Sequence, residues 1–69
     1  MKQPTYIKRM SDYNEAFNWM RVKNQSAKRA GCKYVFCLMD GPDDDYAIVD
    51  LRTAVDLAQE TGGSYEWAQ

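Results

Sequence analysis

The residues with the most chemical potential lie in one short stretch, Asp40 to Tyr46, which reads DGPDDDY and holds four aspartates. Four carboxylates could bind a hard cation, dock on a basic partner or keep a turn soluble. An EF-hand loop starting at Asp40 would need Gly at its sixth position and Glu at its twelfth, and those positions hold Asp45 and Leu51. The spacing therefore gives no metal motif and favours a solvated turn or a docking site.

The other reactive residue types are sparse. The chain has no histidine, and its two cysteines, Cys32 and Cys37, lack the second pair or the histidines of a zinc site. The Gly62-Gly63 pair follows a helix-like segment, so it predicts a helix end rather than a phosphate-binding loop. We therefore expect a protein that is not an enzyme, with no catalytic residue, no metal ligand and no cofactor.

Length and composition predict one small domain over residues 1–69. A hydrophobic content of 45% argues against disorder. The longest apolar run, Tyr34 to Met39, is too short to cross a bilayer, and the first residues lack the apolar core of a signal peptide. These features predict a soluble cytoplasmic protein with no membrane association.

Charge is divided unevenly along the chain. Residues 1–35 carry eight basic and two acidic side chains, whereas residues 36–69 carry one basic and eight acidic ones. The two halves thus have formal charges of +6 and −7. Such a division predicts a dipolar surface, unless the fold brings the halves together and neutralises them.

The first half predicts a strand and a helix. The β-prone segment Thr5 to Arg9 is a candidate first strand. Ser11 is a candidate N-cap for a helix over residues 12–30, and Gly31 is a candidate C-terminal cap. The apolar residues of this segment recur at helical spacing and form one stripe: Tyr13, Ala16, Phe17, Met20 and Ala27.

A β-hairpin is predicted around the acidic turn. Its strands are Cys32–Met39 and Tyr46–Leu51. Alternate residues of the first strand point to opposite faces, and both sets are apolar, so both faces of the sheet need cover. A homodimer or another partner could provide that cover.

A second helix follows the hairpin, with Asp50 as its N-cap and Gly62-Gly63 at its end. A short extended tail places Tyr65 and Trp67 on one face. The resulting β-α-β-β-α-β order resembles the ferredoxin-like plan, an α+β fold with two helices on one face of an antiparallel sheet. A β-hairpin flanked by two helices, without edge strands, is the alternative.

Two binding functions remain, and protein docking is favoured. Tyr and Trp side chains anchor interfaces, and an acidic turn steers binding to a basic surface. The candidate partner-binding residues are Asp40, Asp43, Asp44, Asp45, Tyr46, Trp19, Tyr65 and Trp67.

Nucleic-acid binding by the first helix is the alternative. The basic residues that would carry it are Arg21, Lys23, Lys28 and Arg29. The third predicted strand, YAIVDL, lacks the aromatic pattern of an RNA-recognition motif, and the pI of about 5.2 disfavours a duplex binder.

In size and character, with its DGPDDD turn and short charged tail, the chain resembles small accessory proteins of bacteriophages, the anti-CRISPR proteins among them. The resemblance implies an inhibitor that blocks host machinery, acting in the host cytoplasm. Some of those proteins present acidic residues where nucleic acid would bind. The basic first half of this chain differs from the strongly acidic mimics and favours ordinary protein docking.

Overall fold

The computed structural model describes residues 6–32 and 35–68, which form an α+β domain. Its elements are strand β1 (Lys8–Met10), helix α1 (Tyr13–Arg29), strand β2 (Phe36–Asp40), strand β3 (Tyr46–Asp50) and helix α2 (Leu51–Thr61). The predicted α+β class is confirmed. Neither α1 nor α2 has the length and apolar character that a membrane-spanning helix requires.

The three strands form an antiparallel sheet in the order β1-β3-β2. The predicted hairpin is present, with Phe36 opposite Asp50 and Asp40 opposite Tyr46. Its first strand is shorter than predicted, because Cys32 lies in the loop after α1. The other early positions of that predicted strand, residues 33 and 34, lie outside the described residues, as does Thr5 of the predicted first strand.

Helix α1 is capped by Asp12 and not, as the sequence suggested, by Ser11. The Asp12 carboxylate accepts a hydrogen bond of 2.9 Å from the Glu15 N–H, which is one of the unpaired donors of the first turn. At the other end the Gly31 N–H donates to the Lys28 carbonyl, and the Cys32 N–H donates to the Ala27 carbonyl. This is a Schellman motif, and it requires the left-handed φ of 71° that Gly31 adopts.

Helix α2 is capped by Asp50, as predicted. The Asp50 carboxylate accepts a hydrogen bond of 3.2 Å from the Thr53 N–H. Gly62 ends the helix with a φ of 70°, in the left-handed region that glycine tolerates. Because Asp50 is also the last residue of β3, the chain passes from the sheet into α2 without a loop.

The two helices lie on opposite faces of the sheet, so the prediction that both share one face is wrong. Leu38 and Ile48 are opposite each other in the register and belong to the hydrophobic cluster that packs on α1. The neighbouring pair, Cys37 and Val49, belongs to the cluster that packs on α2. Within the described ranges, α1 and α2 do not touch each other.

The path of the C-terminal segment accounts for this arrangement. Leu38 and Glu66 form one antiparallel bridge, with hydrogen bonds of 2.8 Å in both directions, on the free edge of β2. In the ferredoxin-like plan the last strand would instead pair with β1. Helix α1 connects β1 to β2, and α2 connects β3 to the segment around Glu66. Both connections run toward the same edge of the sheet, but β1 and β3, from which they start, are antiparallel. They have the same hand only if their helices lie on opposite faces, and right-handed crossovers are strongly preferred.

The predicted fourth strand is accordingly reduced to a single bridge, and the described part of the sheet has three strands. The alternation of the β2 side chains is as predicted, since Phe36 and Leu38 face α1 whereas Val35, Cys37 and Met39 face α2. Because a helix covers each face of the described sheet, neither face needs a second copy of the chain to cover it.

Candidate functional site

The turn between β2 and β3 is held by its own backbone and by Asp45. The Gly41 N–H donates to the Asp45 carbonyl at 2.7 Å, and Asp44 adopts a left-handed φ of 59°, which Asp tolerates better than most residues. A Cβ atom at Gly41 would lie 2.0 Å from Asp45 Oδ1. Glycine at position 41 therefore allows the Asp45 side chain to fold back over the turn.

Arg9 of β1 reaches across the sheet to this turn. Its Nη2 atom lies 2.6 Å from Asp43 Oδ2, and its Nε atom lies 2.8 Å from Asp45 Oδ2. The Arg9 hydrogen bond lowers the pKa of Asp45, and the two aspartates raise the pKa of Arg9. Arg9 is 34 and 36 residues away along the chain, so sequence proximity did not indicate it.

Two of the four aspartates remain available for contacts with a partner. Asp40 and Asp44 are exposed, and neither forms a salt bridge within residues 6–32 and 35–68. Together, the four carboxylates and the Arg9 guanidinium leave a formal charge of −3 at the end of the hairpin. We call this region, residues 40–45, the acidic tip.

A groove of about 160 Å³ runs from the acidic tip to the C-terminal segment. We call it the tyrosine groove, and its lining residues are Tyr13, Leu38, Met39, Asp40, Tyr46, Ser64, Tyr65 and Glu66. It thus combines the rings of Tyr13 and Tyr46 with the carboxylates of Asp40 and Glu66. The sequence prediction named three of these residues, Asp40, Tyr46 and Tyr65, but missed Tyr13 and Glu66.

Tyr13 contacts residues of α1, β3 and the C-terminal segment, three parts of the chain that border the groove. Its ring meets Tyr46 edge-on, with centroids 5.4 Å apart, and stacks on Phe17 with centroids 6.0 Å apart. Its hydroxyl donates a hydrogen bond to the Glu66 carboxylate, and this bond raises the pKa of Tyr13. The side chain nevertheless stays 39% exposed. The start of α1, the hairpin and the C-terminal segment therefore meet at one residue.

Asn24 holds the C-terminal segment against the other end of β2. It is the buried polar residue of the described core, 3% exposed, and its Nδ2 atom donates to the Ala68 carbonyl at 2.8 Å. The sequence contained a signal for it, since Asn24 follows the buried Met20 by four residues and therefore lies on the apolar stripe of α1. A polar residue on such a stripe indicates a specific buried partner.

The remaining predicted docking residues are distributed differently. Tyr65 packs against the α2-side cluster, and Trp67 is 53% exposed just beyond the bridge. Trp19 does not line the tyrosine groove; its ring lies near the Nζ atoms of Lys8 and Lys23. The structure thus brings together the acidic residues, Tyr46 and Tyr65, and places Trp19 elsewhere.

The four basic residues predicted for nucleic-acid binding do not share one face of α1. Arg21 and Lys23 are two positions apart, which is about 200° around a helix. Arg21 Nη2 donates to Asn18 Oδ1 at 3.3 Å, whereas Lys23 lies over the Trp19 ring. Lys28 and Arg29 lie in the last turn of the helix.

The cysteines occupy different environments. Cys32 is exposed, whereas Cys37 is buried in the sheet, where burial and then the charge of Asp50 raise the pKa of its thiol to about 11. Within the described residues, no three His, Cys, Asp or Glu side chains are grouped so that they could hold a metal ion.

No protein-family model, no curated protein and no solved structure matches this chain.

Proposed function

We propose that this chain is a small non-enzymatic protein-binding module that docks on a basic protein surface through the acidic tip and the tyrosine groove. It would act in the cytoplasm as an inhibitor or adaptor, like the phage anti-CRISPR proteins that it resembles in size and character. A nucleic-acid-handling host protein is a suitable partner, because such proteins carry basic surfaces.

The observation that carries the proposal is the composition of the tyrosine groove. Asp40 and Glu66 supply carboxylates, and Tyr13 and Tyr46 supply aromatic rings around the same space. A lysine or arginine side chain is attracted both to carboxylates and to the faces of aromatic rings. The groove therefore suits one basic side chain of the partner, inserted beside the hairpin.

The ion pairs of Arg9 stabilise the conformation of the turn and do not themselves contact the partner. By binding Asp43 and Asp45, Arg9 fixes the shape of the turn, and Asp40 and Asp44 stay exposed at its surface. Exposed charges of this kind act mainly on association rate, and salt screens them within about 8 Å at physiological ionic strength. We therefore expect partner binding to slow as salt rises.

The test uses two double variants with the same change in charge. D40N/E66Q removes the carboxylates of the tyrosine groove, whereas D56N/E60Q removes two exposed carboxylates of α2. A short arginine-rich peptide is titrated into each protein, and binding is followed by NMR shifts of the Tyr13 and Tyr46 rings. A matched peptide with citrulline in place of arginine reports any binding that does not need the positive charge.

We expect the arginine peptide to cause saturable NMR shifts of both rings. Its affinity should fall strongly in D40N/E66Q and change little in D56N/E60Q. Equal losses in the two variants would show attraction to overall charge and would contradict a groove. An affinity pull-down from a bacterial lysate, with the wild type beside D40N/E66Q, then identifies partners that depend on the groove.

A further inference from the structure

A second exposed cluster lies at the opposite edge of the sheet from the tyrosine groove. The Trp19 ring centroid is 5.2 Å from Lys23 Nζ and 6.0 Å from Lys8 Nζ. Lys8 comes from the edge strand β1, and the other two residues come from α1. We call Lys8, Trp19 and Lys23 the Trp19 patch.

The construction of the patch points to an anionic, aromatic ligand. Both lysines are exposed, whereas Trp19 is half-buried and packs against the α1-side cluster, which fixes its ring. Two ammonium groups lie near one indole, and an anion bound beside the ring is attracted by both of them. A flat aromatic ring with exposed lysines beside it is the arrangement with which single-stranded nucleic-acid binders stack a base and hold the flanking phosphates.

We propose that the Trp19 patch binds single-stranded nucleic acid, with an unpaired base on Trp19 and backbone phosphates on Lys8 and Lys23. The patch shares no residue with the acidic tip or the tyrosine groove, so it goes beyond the proposed protein docking. It also differs from the set predicted from sequence, since Lys8 and Trp19 replace Arg21, Lys28 and Arg29.

The surroundings of the patch favour a single strand over a duplex. Two lysines contact few phosphates, and stacking needs a base that is not already paired. Glu15 lies one helical turn before Trp19 and is exposed, so its charge opposes an approaching phosphate. Replacing Glu15 with Gln should therefore strengthen binding.

Trp19 fluorescence provides the test, in the chain of residues 1–69 carrying Trp67→Phe, which leaves Trp19 as its one tryptophan. A short oligothymidylate should quench it in a saturable way. Binding through two phosphate contacts predicts a slope of about −1.4 in a plot of log K against log salt, at about −0.7 per contact. Lys8→Gln and Lys23→Gln should each make that slope less steep by about 0.7.

Matched variants distinguish binding at the Trp19 patch from attraction to positive charge anywhere on the surface. Arg52→Gln removes an exposed cation from α2, on the other face of the sheet, and should leave both affinity and slope unchanged. Trp19→Leu, measured with a labelled oligonucleotide, should weaken binding at least about fivefold through lost stacking. The lysine variants change exposed side chains, so they carry the test even if Trp19→Leu does not fold.

The proposal is overturned by an absence of quenching at low salt, by equal losses of affinity in Arg52→Gln and Lys23→Gln, or by equal quenching with a polyglutamate peptide. The last would show a general anion site. Tighter binding of a DNA duplex than of the single strand would also overturn it. These outcomes are independent of the arginine-peptide titration, which reports on the tyrosine groove.

Discussion

On the edge of β2 that faces away from β3, the side-chain amide of Asn24 takes the place of a neighbouring strand for Phe36. The Phe36 N–H donates to Asn24 Oδ1 at 2.7 Å, and Asn24 Nδ2 donates to the Phe36 carbonyl at 3.0 Å. In the register set by the bridge between Leu38 and Glu66, Phe36 would be opposite Ala68. Asn24 stands between them and bonds to both, so the bridge does not extend into a fourth strand.

Replacing Asn24 with Leu should therefore destabilise the fold. The substitution leaves the backbone groups of Phe36 and the carbonyl of Ala68 without this partner, and an unsatisfied buried polar group costs about 1–3 kcal/mol. Urea unfolding followed by circular dichroism measures the loss. Asn14→Ala, on the exposed side of the same helix, is the control and should stay within about 0.5 kcal/mol of wild type. Equal stability of the two variants would contradict this role of Asn24.

Acid should weaken the fold through Asp45. Because Arg9 lowers the pKa of Asp45 in the folded state, the unfolded chain takes up this proton at a higher pH. The stabilising contribution is complete above the ordinary aspartate pKa of about 3.9 and is lost as the pH falls through that value and then through the folded pKa. Urea unfolding at a series of acidic pH values should show this loss in the wild type.

Arg9→Gln and Asp45→Asn should both flatten that acid dependence, because each removes the interaction that lowers the pKa. Asp44→Asn, which changes an exposed carboxylate of the same turn, should keep it. If Arg9→Gln leaves the pH profile unchanged, the ion pair between Arg9 and Asp45 does not contribute to stability in solution.

Alkaline titration should report on the hydrogen bond between Tyr13 and Glu66. Its hydrogen bond to Glu66 raises its pKa, so the folded state holds this proton more tightly than the unfolded chain. The corresponding stability is complete below the ordinary tyrosine pKa of about 10 and is lost as the pH rises through the folded pKa. In an absorbance titration, Tyr13→Phe should remove the late component, and Glu66→Gln should shift it to lower pH. A wild-type titration without a late component would contradict the hydrogen bond.

The two thiols should react at very different rates. Cys32 is exposed, whereas burial protects Cys37 and raises its pKa to about 11, which leaves little reactive thiolate at neutral pH. A thiol reagent should therefore modify one cysteine in the native protein and two in denaturant. Cys32→Ser should abolish the fast reaction, and Cys37→Ser should leave it intact. Two fast reactions in the native wild type would mean that the sheet opens readily at Cys37.

Local signals predicted the local structure well. Asp50 was identified as a cap because a capping carboxylate acts within three residues, and Gly31 was identified because a left-handed helix end favours glycine. The N-cap of α1 was misplaced by one residue because Ser11 and Asp12 are both good caps, and only the backbone geometry selects between them.

Long-range geometry was not predictable in the same way. The face on which α2 packs depends on which sheet edge the residues around Glu66 join, and a short segment has no pattern that encodes this choice. The ion pairs of Arg9 likewise depend on the strand order β1-β3-β2, which brings residues of the two oppositely charged halves together. The sequence predicts only part of the tyrosine groove, because the helical spacing of Tyr13 assigns it to the apolar stripe of α1 and not to a binding surface.

The opposite placement of the helices has a consequence for how this chain can evolve. Within residues 6–32 and 35–68, the buried apolar residues divide into one cluster under α1 and one under α2, on opposite faces of the sheet. Because the two sets of side chains pack on opposite faces, a change of side-chain volume beneath α2 can be absorbed within its own cluster and need not be matched by one beneath α1. Helix α2 can therefore diverge under selection while the Trp19 patch and the ring pair of Tyr13 and Tyr46, both on the α1 side, keep their geometry.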